Sequence, residues 1–405
     1  NTVVSSIKER SAALAILEDY KRENRLPNPS IPMLKKLESK KLFDVPFKEK
    51  MPYVVIALAF FAAKIVATEV SVSLANFTYK QWSPVEWYIK VTEIDALTRW
   101  DTIRYVEIAQ YGYGYEWVDY AFMPLYPALI WLTTFLIGNY KLSAVLVSNF
   151  FSFAMIIPLV KVLRLYLPNK EVPRAMALTL FYPVLFVFTL VGYAESLLLF
   201  SVFYSWYYFK TERYLLSSIF LSLAVLTKLT PIIMLLIYIA WLFGKRRFKA
   251  ILAFTPVVLA VIAAAAYLYM LSGEPFIVIT SHTWWNIGLR SPVEGFYRVL
   301  IAKRMPTVWW ISRLILYLFL VSFAIWRTWR IKDIPLTAYS IGFYILDTCY
   351  ARLYDFPRLT LPIIPIYITL GMLIRRDEDA ILVAGCFFAA TLYLLYSFAT
   401  LEYIG

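Results

Sequence analysis

The sequence is poor in the residues that build metal centres and disulfides. Its 405 residues include one histidine, His282, and two cysteines, Cys349 and Cys386. A single histidine excludes a histidine-rich metal site. Both cysteines fall inside apolar segments, which predicts buried, unpaired thiols and no disulfide.

Charged residues are scarce as well. They make up 17% of the chain, against 61% for hydrophobic residues, whereas soluble domains contain about 25% charged residues. Apolar runs such as Tyr53–Ala75 and Ile251–Leu271 have the length of about 20 residues that crosses a bilayer. We therefore predict an all-α polytopic membrane protein with no separate soluble domain of useful size.

Familiar nucleotide-binding motifs are missing from the sequence. It contains no Walker loop and no G-x-G-x-x-G fingerprint. The acidic run Asp377–Asp379 follows Arg376 and reads as an ordinary polar turn. Only 12 glycines and no internal repeat are found, which is unlike a transporter built from repeats with glycine-broken helices.

Basic residues set the predicted orientation of the chain. The net charge is +13, and lysines and arginines concentrate in short loops at 161–174, 210–213, 245–249, 327–332 and 375–376. Such loops face the cytoplasm, so the positive charge indicates membrane topology and contact with lipid headgroups, not nucleic acid binding. Residues 1–50 are polar and lysine-rich, and we expect them to form a cytoplasmic N-terminal segment.

Eleven spans are expected within a transmembrane domain at 51–405. They lie at roughly 52–75, 142–164, 174–191, 195–210, 213–228, 230–244, 249–271, 308–327, 334–350, 359–374 and 380–402. The large outer loops are then 76–141 and 272–307. The apolar stretch 122–137 would invert every later loop if it crossed, so it is predicted to lie at the outer surface. The alternative is that it crosses and a later segment does not.

This topology brings five separate segments to the outer face: 76–141, Gly192–Ser196, Thr227–Pro231, 272–307 and Tyr350–Arg358. They hold most of the charges that topology does not require. The concentration of unexplained charge on one face is the functional signal in this sequence.

The first outer loop supplies a candidate base. Spacings of three and four residues place Asp101, Arg104 and Tyr105 on one helical face. An ionised carboxylate there can take a proton from a hydroxyl group. The alternative is a solvated loop with local ion pairs.

Further candidates lie in the other outer segments. Glu195 lies at the edge of an apolar segment, where an acidic side chain is costly unless paired. Three cations on the predicted outer face run against the usual bias of basic residues toward the cytoplasm: Lys228, Arg352 and Arg358. They suit a lipid phosphate, although long cationic side chains also snorkel to headgroups. Trp285 can stack on a sugar or belong to the interfacial aromatic belt. Without a nucleotide site, this chemistry favours a lipid-linked donor.

Four motifs resemble a known family. Arg99-Trp100-Asp101 with Tyr105, Ile108-Ala109 and Gly112-Tyr113 is similar to the RWDxxxYxxIAxxGY signature of the second GPI mannosyltransferase (PIG-V-like) family and its prokaryotic relatives. Ala121–Pro127 resembles AFFPLYP, Gly192–Leu197 resembles YSESL, and Thr227–Thr230 resembles TRPTG. Trp285–Phe296 is similar to a further tryptophan-containing segment. Lys228 stands where the family has arginine.

The resemblance implies a GT-C glycosyltransferase of about 11 transmembrane helices with interfacial helices in the first outer loop. It implies inverting transfer of mannose, or a similar hexose, from a polyprenyl or dolichyl phosphate to a lipid-linked or glycan acceptor, with Asp101 as the base. The expected donor-phosphate ligands are Lys228, Arg352 and Arg358. The expected substrate-binding residues are Arg99, Trp100, Arg104, Tyr105, Tyr113, Tyr193, Glu195 and Trp285.

Several further expectations follow. The chain should be a monomeric, prokaryotic, archaeal protein of the plasma membrane, with its site on the extracytoplasmic face. The scheme requires no metal and no cofactor. Two alternatives stay open: a polyprenyl-lipid transporter or flippase, and a non-catalytic subunit of a glycosylation complex.

Overall fold

A computed structural model describes residues 47–82, 90–282, 291, 293–294, 297, 308–349 and 355–400. All regular structure in these residues is helical. The predicted N-terminal segment 1–50 lies almost wholly outside these residues, and Trp285 and Arg352 lie outside them.

The N-terminal third consists of one long helix followed by short ones. Helix α1 runs over the 36 residues of Phe47–Trp82. The first outer loop then holds α2 (Glu93–Leu97), α3 (Asp101–Tyr111), a 3₁₀ turn (Trp117–Ala121) and α4 (Leu125–Ile137). The loop is therefore a folded unit of short helices.

The rest of the described chain is a bundle of helices, several of which have a proline in their first turn. In order they are α5 (Tyr140–Ala154), α6 (Ile156–Leu163), α7 (Val172–Leu180), α8 (Pro183–Leu190), α9 (Glu195–Lys210), α10 (Tyr214–Thr227), α11 (Ile232–Gly244), α12 (Phe248–Leu252), α13 (Thr255–Ser272), α14 (Ile277–Thr280), α15 (Val308–Trp329), α16 (Ile334–Cys349), α17 (Phe356–Leu359), α18 (Pro365–Leu373) and α19 (Asp377–Ala399).

Four helical stretches of the described chain are long and apolar enough to cross a bilayer: Lys50–Tyr79, Tyr140–Leu163, Phe248–Ser272 and Asp377–Ala399. The pair α7 and α8 makes a fifth if its 63° bend is counted within one span. Each of the eleven predicted spans coincides with one or two of the helices. The protein is a multi-pass membrane protein, and its number of crossings stays a prediction.

Helix α4 is the apolar stretch that sequence reasoning places at the outer surface. Its 13 residues extend about 20 Å, short of the hydrocarbon thickness of about 30 Å. Gly138 ends it with a positive φ of 74°, a conformation that glycine adopts at little cost. The helix packs on α3 and α5. Its length agrees with the predicted surface position, which stays a prediction.

A polar network ties helices together at the predicted cytoplasmic end. Asp333 is buried and accepts hydrogen bonds from the Tyr166 hydroxyl at 2.9 Å and from Lys210 at 2.7 Å. The indole N–H of Trp206 donates to the same tyrosine at 2.9 Å. A buried carboxylate with two donors is well satisfied, so this network fixes the end of the bundle opposite the outer segments.

The two thiols are free, as predicted. Their expected burial is wrong for Cys386, which is exposed on α19, and Cys349 is only partly covered. The exposed faces of a membrane helix meet lipid, so a small apolar thiol is tolerated there.

Candidate active site

The candidate base lies at the start of a helix. Asp101 is the first residue of α3, and Trp100 before it has φ 53° and ψ −120°. A tryptophan in this region is strained by roughly 1–3 kcal/mol, and such strain is concentrated at functional sites. The Trp100 backbone turns the chain sharply between α2 and α3. This turn sets the direction in which the Asp101 side chain projects from the helix.

Gly192 lets a second segment pack directly against this turn. Its backbone N–H donates to the Leu97 carbonyl at 2.9 Å. A Cβ at Gly192 would lie 2.7 Å from Cγ2 of Thr102 and 3.2 Å from Cβ of Ala144. Only glycine permits so close an approach. The segment that carries Tyr193 and Glu195 is therefore docked on the first turn of α3.

Four charged side chains meet at this junction: Asp101, Glu195, Lys228 and Arg358, called here the charge quartet. Arg358 donates from Nη1 to Oδ2 of Asp101 at 2.7 Å, and its Nε lies 3.5 Å from Oε1 of Glu195. Lys228 Nζ donates to the same Glu195 oxygen at 2.5 Å. These contacts join residues that lie up to 257 positions apart in the sequence.

Proline placement explains how the two cations reach the junction. Helix α10 ends at Thr227, and Lys228 has the extended φ, ψ of −147° and 143°. Pro231 follows three residues later and disfavours continued helix. Arg358 lies in the short helix α17, which has Pro357 at its start. Both cations therefore project from helix breaks.

Arg358 is held in a defined position by aromatic rings. Its side chain is 9% exposed, and its guanidinium lies 5.5 Å from the Phe188 ring centre and 5.3 Å from that of Tyr193. Such cation–π contacts suit a desolvated arginine. The Tyr193 hydroxyl also accepts the backbone N–H of Asp101 at 3.2 Å. Tyr193 thus contacts both the candidate base and its cation.

Tyr105 and Tyr113 lie in the packed interior of the first outer loop. Tyr105 is 2% exposed and packs edge-on against Phe122 and Tyr126. Burial raises the pKa of Tyr105, and the nearby Glu195 charge adds to this. Tyr113 donates its hydroxyl to the Phe122 carbonyl at 2.7 Å. Both rings support the loop, and their predicted substrate contacts stay predictions.

Arg104 pairs with other carboxylates of the first outer loop, although its spacing had placed it beside Asp101. It contacts Glu107 at 2.9 Å, Glu116 at 2.7 Å and Asp119 at 3.8 Å. Burial raises the pKa of Glu107 and of Asp119, and the Arg104 charge opposes the rise. In this arrangement Arg104 joins α3 to the 3₁₀ turn, and its predicted role in substrate binding stays a prediction.

The remaining predicted residues of the loop lie at the edge of the site. Trp100 packs against the main hydrophobic core. Arg99 is partly exposed near Asp95. A hydrogen bond from Lys141 is the main cause that lowers the pKa of Asp95, and the Arg99 charge contributes.

Sequence reasoning missed Lys64, a buried lysine of α1 that is 3% exposed. It donates to Oδ1 of Asn149 at 2.9 Å, to Oγ of Ser152 at 2.6 Å and to the Thr189 carbonyl at 2.7 Å. Asn149 in turn donates to the Leu190 carbonyl at 2.8 Å. Together they bind the last carbonyls of α8, just before Gly192. A lone lysine in an apolar run was the available signal.

Asp347 and His282 were missed as well. Asp347 of α16 is 1% exposed, and neither of its carboxylate oxygens has a hydrogen-bond partner among the described residues. Lys228 is near enough for its charge to act on Asp347. His282 contacts the Val278 carbonyl through Nδ1 at 2.6 Å. Burial lowers the pKa of His282, while the Asp101 charge opposes this. Both residues therefore extend the polar environment of the quartet.

The junction can perform acid–base chemistry next to an anion. A carboxylate at 24% exposure can accept a proton, and two cations beside it can stabilise negative charge. In the described part of the chain, no group of three or more histidine, cysteine or acidic side chains has the arrangement of a metal site. The absence of a metal requirement stays a prediction.

Comparisons with known proteins find similarity in structure only. No family model and no curated protein match the chain. ArnT from Cupriavidus metallidurans, in a structure bound to undecaprenyl phosphate, matches with a TM-score of 0.53 at 14% identity, over 85% of this chain and 76% of ArnT.

Two structures from Archaeoglobus fulgidus match more weakly. One is an oligosaccharyltransferase in complex with Zn and sulfate, with TM-score 0.45, 15% identity, 84% of this chain and 53% of that one. The other is the oligosaccharyltransferase AglB with an inhibitory peptide and a dolichol-phosphate, with TM-score 0.41, 13% identity, and 85% and 56% coverage. The chain spans about half the length of these two proteins.

The specific resemblance to the second GPI mannosyltransferase family stays a prediction, because the comparisons reach only the fold. Helix order, the folded first outer loop and the match to ArnT agree with the architecture that the sequence predicted. The chain has the GT-C fold of membrane glycosyltransferases.

Proposed function

We propose that this protein is an inverting membrane glycosyltransferase. It transfers mannose, or a similar hexose, from a polyprenyl-phosphate donor to a hydroxyl group of a lipid-linked or glycan acceptor. Asp101 is the general base. The reaction takes place on the extracytoplasmic face of the plasma membrane.

The observation that carries the proposal is the charge quartet. It joins a carboxylate on the first outer loop to two cations from helix breaks far along the chain, within 2.5–3.5 Å contacts. Burying charges at the end of a membrane helix is costly, because they must be desolvated. Ion pairs that serve only the fold are therefore rarely placed there. A site that must bind a phosphate and accept a proton accounts for both charge signs.

The donor phosphate is proposed to bind to Lys228 and Arg358. Both now donate to carboxylates, and a phosphate would compete for the same N–H groups. Arginine and lysine are the usual phosphate ligands. Arg352 lies outside the described residues and stays a candidate third ligand. The undecaprenyl phosphate bound to ArnT supports a lipid-phosphate donor for a chain of the same fold.

The proposed chemical step is a single displacement. The acceptor hydroxyl oxygen forms a bond to the anomeric carbon while the bond from that carbon to the phosphate oxygen breaks. The hydroxyl proton passes to Asp101, and the bonding electron pair leaves on the polyprenyl phosphate. A leaving group that is already anionic needs cations and no general acid. Attack from the face opposite the phosphate inverts the anomeric centre.

Substitution of Asp101 by Asn tests the base assignment. The purified full chain would be given radiolabelled polyprenyl-phosphate mannose and a glycolipid extract, and both labelled product and released polyprenyl phosphate would be measured. We expect Asp101→Asn to lower kcat by about 10²-fold or more. Asp95→Asn is the matched control, because that carboxylate pairs with Lys141 on the exposed surface and should change kcat less than about twofold.

A residual activity of Asp101→Asn within about tenfold of wild type, or under ~1.4 kcal/mol of barrier, would remove Asp101 as the base. Transfer that survives excess EDTA supports the metal-free scheme, and transfer abolished by EDTA and restored by a divalent cation overturns it. A chain that binds the donor lipid but never consumes it would instead be the flippase or the non-catalytic subunit.

A further inference from the structure

A groove lies on a different side of α3 from the charge quartet. Its cavity is about 270 Å³, close to the lower end of small-molecule sites. It lies between α3, the segment that follows it and the start of α5. Its polar and aromatic lining includes Thr102, Glu107, Gln110, Tyr111, Tyr115 and Lys141.

The groove runs along the helix that begins with the candidate base. Thr102, Val106 and Gln110 line it at spacings of four residues, which places them in one row on the helix surface. Thr102 directly follows Asp101 in the first turn of α3. The row therefore begins beside Asp101 in the chain and runs along a different side of α3 from the Asp101 carboxylate.

Two tyrosines form an exposed stacking surface beside the groove. Tyr111 and Tyr115 are 62% and 66% exposed. Their ring centres are 5.4 Å apart at an interplanar angle of 25°. Fold stability does not require large aromatic rings to be exposed, and exposed apolar patches often mark binding sites. The C–H faces of sugar rings pack well on such rings, since they combine apolar area with a polar edge.

The local charge indicates what kind of ligand fits. Glu107 lines the groove, and Glu116 and Asp119 lie behind it with Arg104 as their shared cation. Lys141 also lines the groove, and Asp95 pairs with it at 2.9 Å. Carboxylates thus outnumber cations around the groove and disfavour phosphate groups. A neutral polyhydroxyl ligand instead finds acceptors in Glu107 and both a donor and an acceptor in the Gln110 amide.

We propose that this groove binds neutral carbohydrate of the acceptor, at a part of the acceptor distal to the hydroxyl group that reacts at Asp101. The inference rests on the proposed function, because it names the acceptor subsite of that reaction. The ligand class is an uncharged oligosaccharide. Tyr111 and Tyr115 stack on its rings, and Glu107 and Gln110 bind its hydroxyl groups.

Direct binding tests this site without relying on turnover. The full chain in detergent micelles would be titrated with mannotriose, maltotriose and triacetylchitotriose up to about 10 mM, the range of weak millimolar binding, and saturation-transfer NMR would detect contact. At least one of the three should bind wild type. Tyr115→Ala and Gln110→Ala should each weaken that binding by about tenfold, as expected for loss of a central contact.

Tyr269→Ala is the matched control, because Tyr269 is 50% exposed on α13 and does not line the groove. Binding by none of the three sugars, or loss of binding that is equal in the control, overturns the inference. Unchanged binding in both groove variants overturns it as well. So does preferential binding of glycerol 1-phosphate, a lipid headgroup probe, that Tyr115→Ala removes.

The inference and the proposed function fail separately. Oligosaccharide binding lost in Tyr115→Ala, together with no donor consumption by wild type, leaves the groove assigned and removes the transferase. Robust transfer whose acceptor KM is unchanged in Tyr115→Ala and Gln110→Ala removes the groove and leaves the transferase.

Discussion

Gly192→Ala probes the contact that docks the Tyr193–Glu195 segment on the first outer loop. The new Cβ would lie 2.7 Å from Cγ2 of Thr102 and 3.2 Å from Cβ of Ala144. Carbon atoms in contact normally lie about 3.5–4.0 Å apart, so one segment must move by several tenths of an ångström. Thr102 is buried, and its neighbour in the chain is Asp101.

The expected cost has two parts. Overpacking of a buried contact destabilises a protein by about 1–3 kcal/mol. A displacement approaching 1 Å at the reacting groups costs up to roughly 10²-fold in rate. We therefore expect Gly192→Ala to lower the melting temperature and to reduce kcat by about 10- to 100-fold.

A compensating substitution makes the test specific. Thr102→Ser removes Cγ2, the atom nearest to the new Cβ, and leaves a hydroxyl at 3.4 Å. In a double-mutant cycle, Thr102→Ser should recover about 1–2 kcal/mol of the stability lost by Gly192→Ala. Melting is followed in detergent by tryptophan fluorescence, and kcat with the donor-consumption assay.

Two results would refute this reasoning. The first is a Gly192→Ala protein with wild-type melting and wild-type kcat, which would mean that the two segments are not in contact. The second is strict additivity in the cycle, which would place the damage away from Thr102. Recovery of stability without recovery of kcat would show that the contact is correct and that the first turn of α3 does not position the reacting groups.

Two further perturbations address the charges around the site. Lys64→Met leaves the Thr189 carbonyl without its 2.7 Å donor, so kcat should fall about tenfold, or ~1.4 kcal/mol. The control Lys249→Met, on the exposed surface, should leave kcat unchanged. Equal kcat in the two variants would show that Lys64 does not position the site. Burial raises the pKa of Glu107 and of Asp119 above their unfolded values, so their contribution favours folding at acid pH and is lost as the pH rises through the raised values. Without the opposing charge of Arg104, the pKa values of these two carboxyl groups rise further. Arg104→Gln should therefore lower the free energy of unfolding by about 2 kcal/mol at neutral pH and by less near pH 5, as measured by melting at both pH values. A pH-independent loss of stability would contradict the pairing of Arg104 with these carboxylates.

The sequence by itself determined the class of this protein and the position of most helices. Apolar length, scarce charge and basic loops depend on local composition, which is why the predicted spans coincide with helices. The RWD segment by itself was also compatible with a solvated loop, and the predicted topology and the family resemblance singled out Asp101. The GT-C fold was implied by the resemblance of several motifs to a known family.

Only the tertiary structure decided which charges meet. Periodicity placed Arg104 beside Asp101, yet Asp101 pairs with Arg358 and Arg104 pairs with Glu116. Helical spacing gives the face on which a residue lies but not its partner across 257 positions. The position of buried Lys64 against the end of α8 likewise depends on three helices packing together. The RWD motif indicated the candidate carboxylate, and long-range packing determined which cation pairs with it.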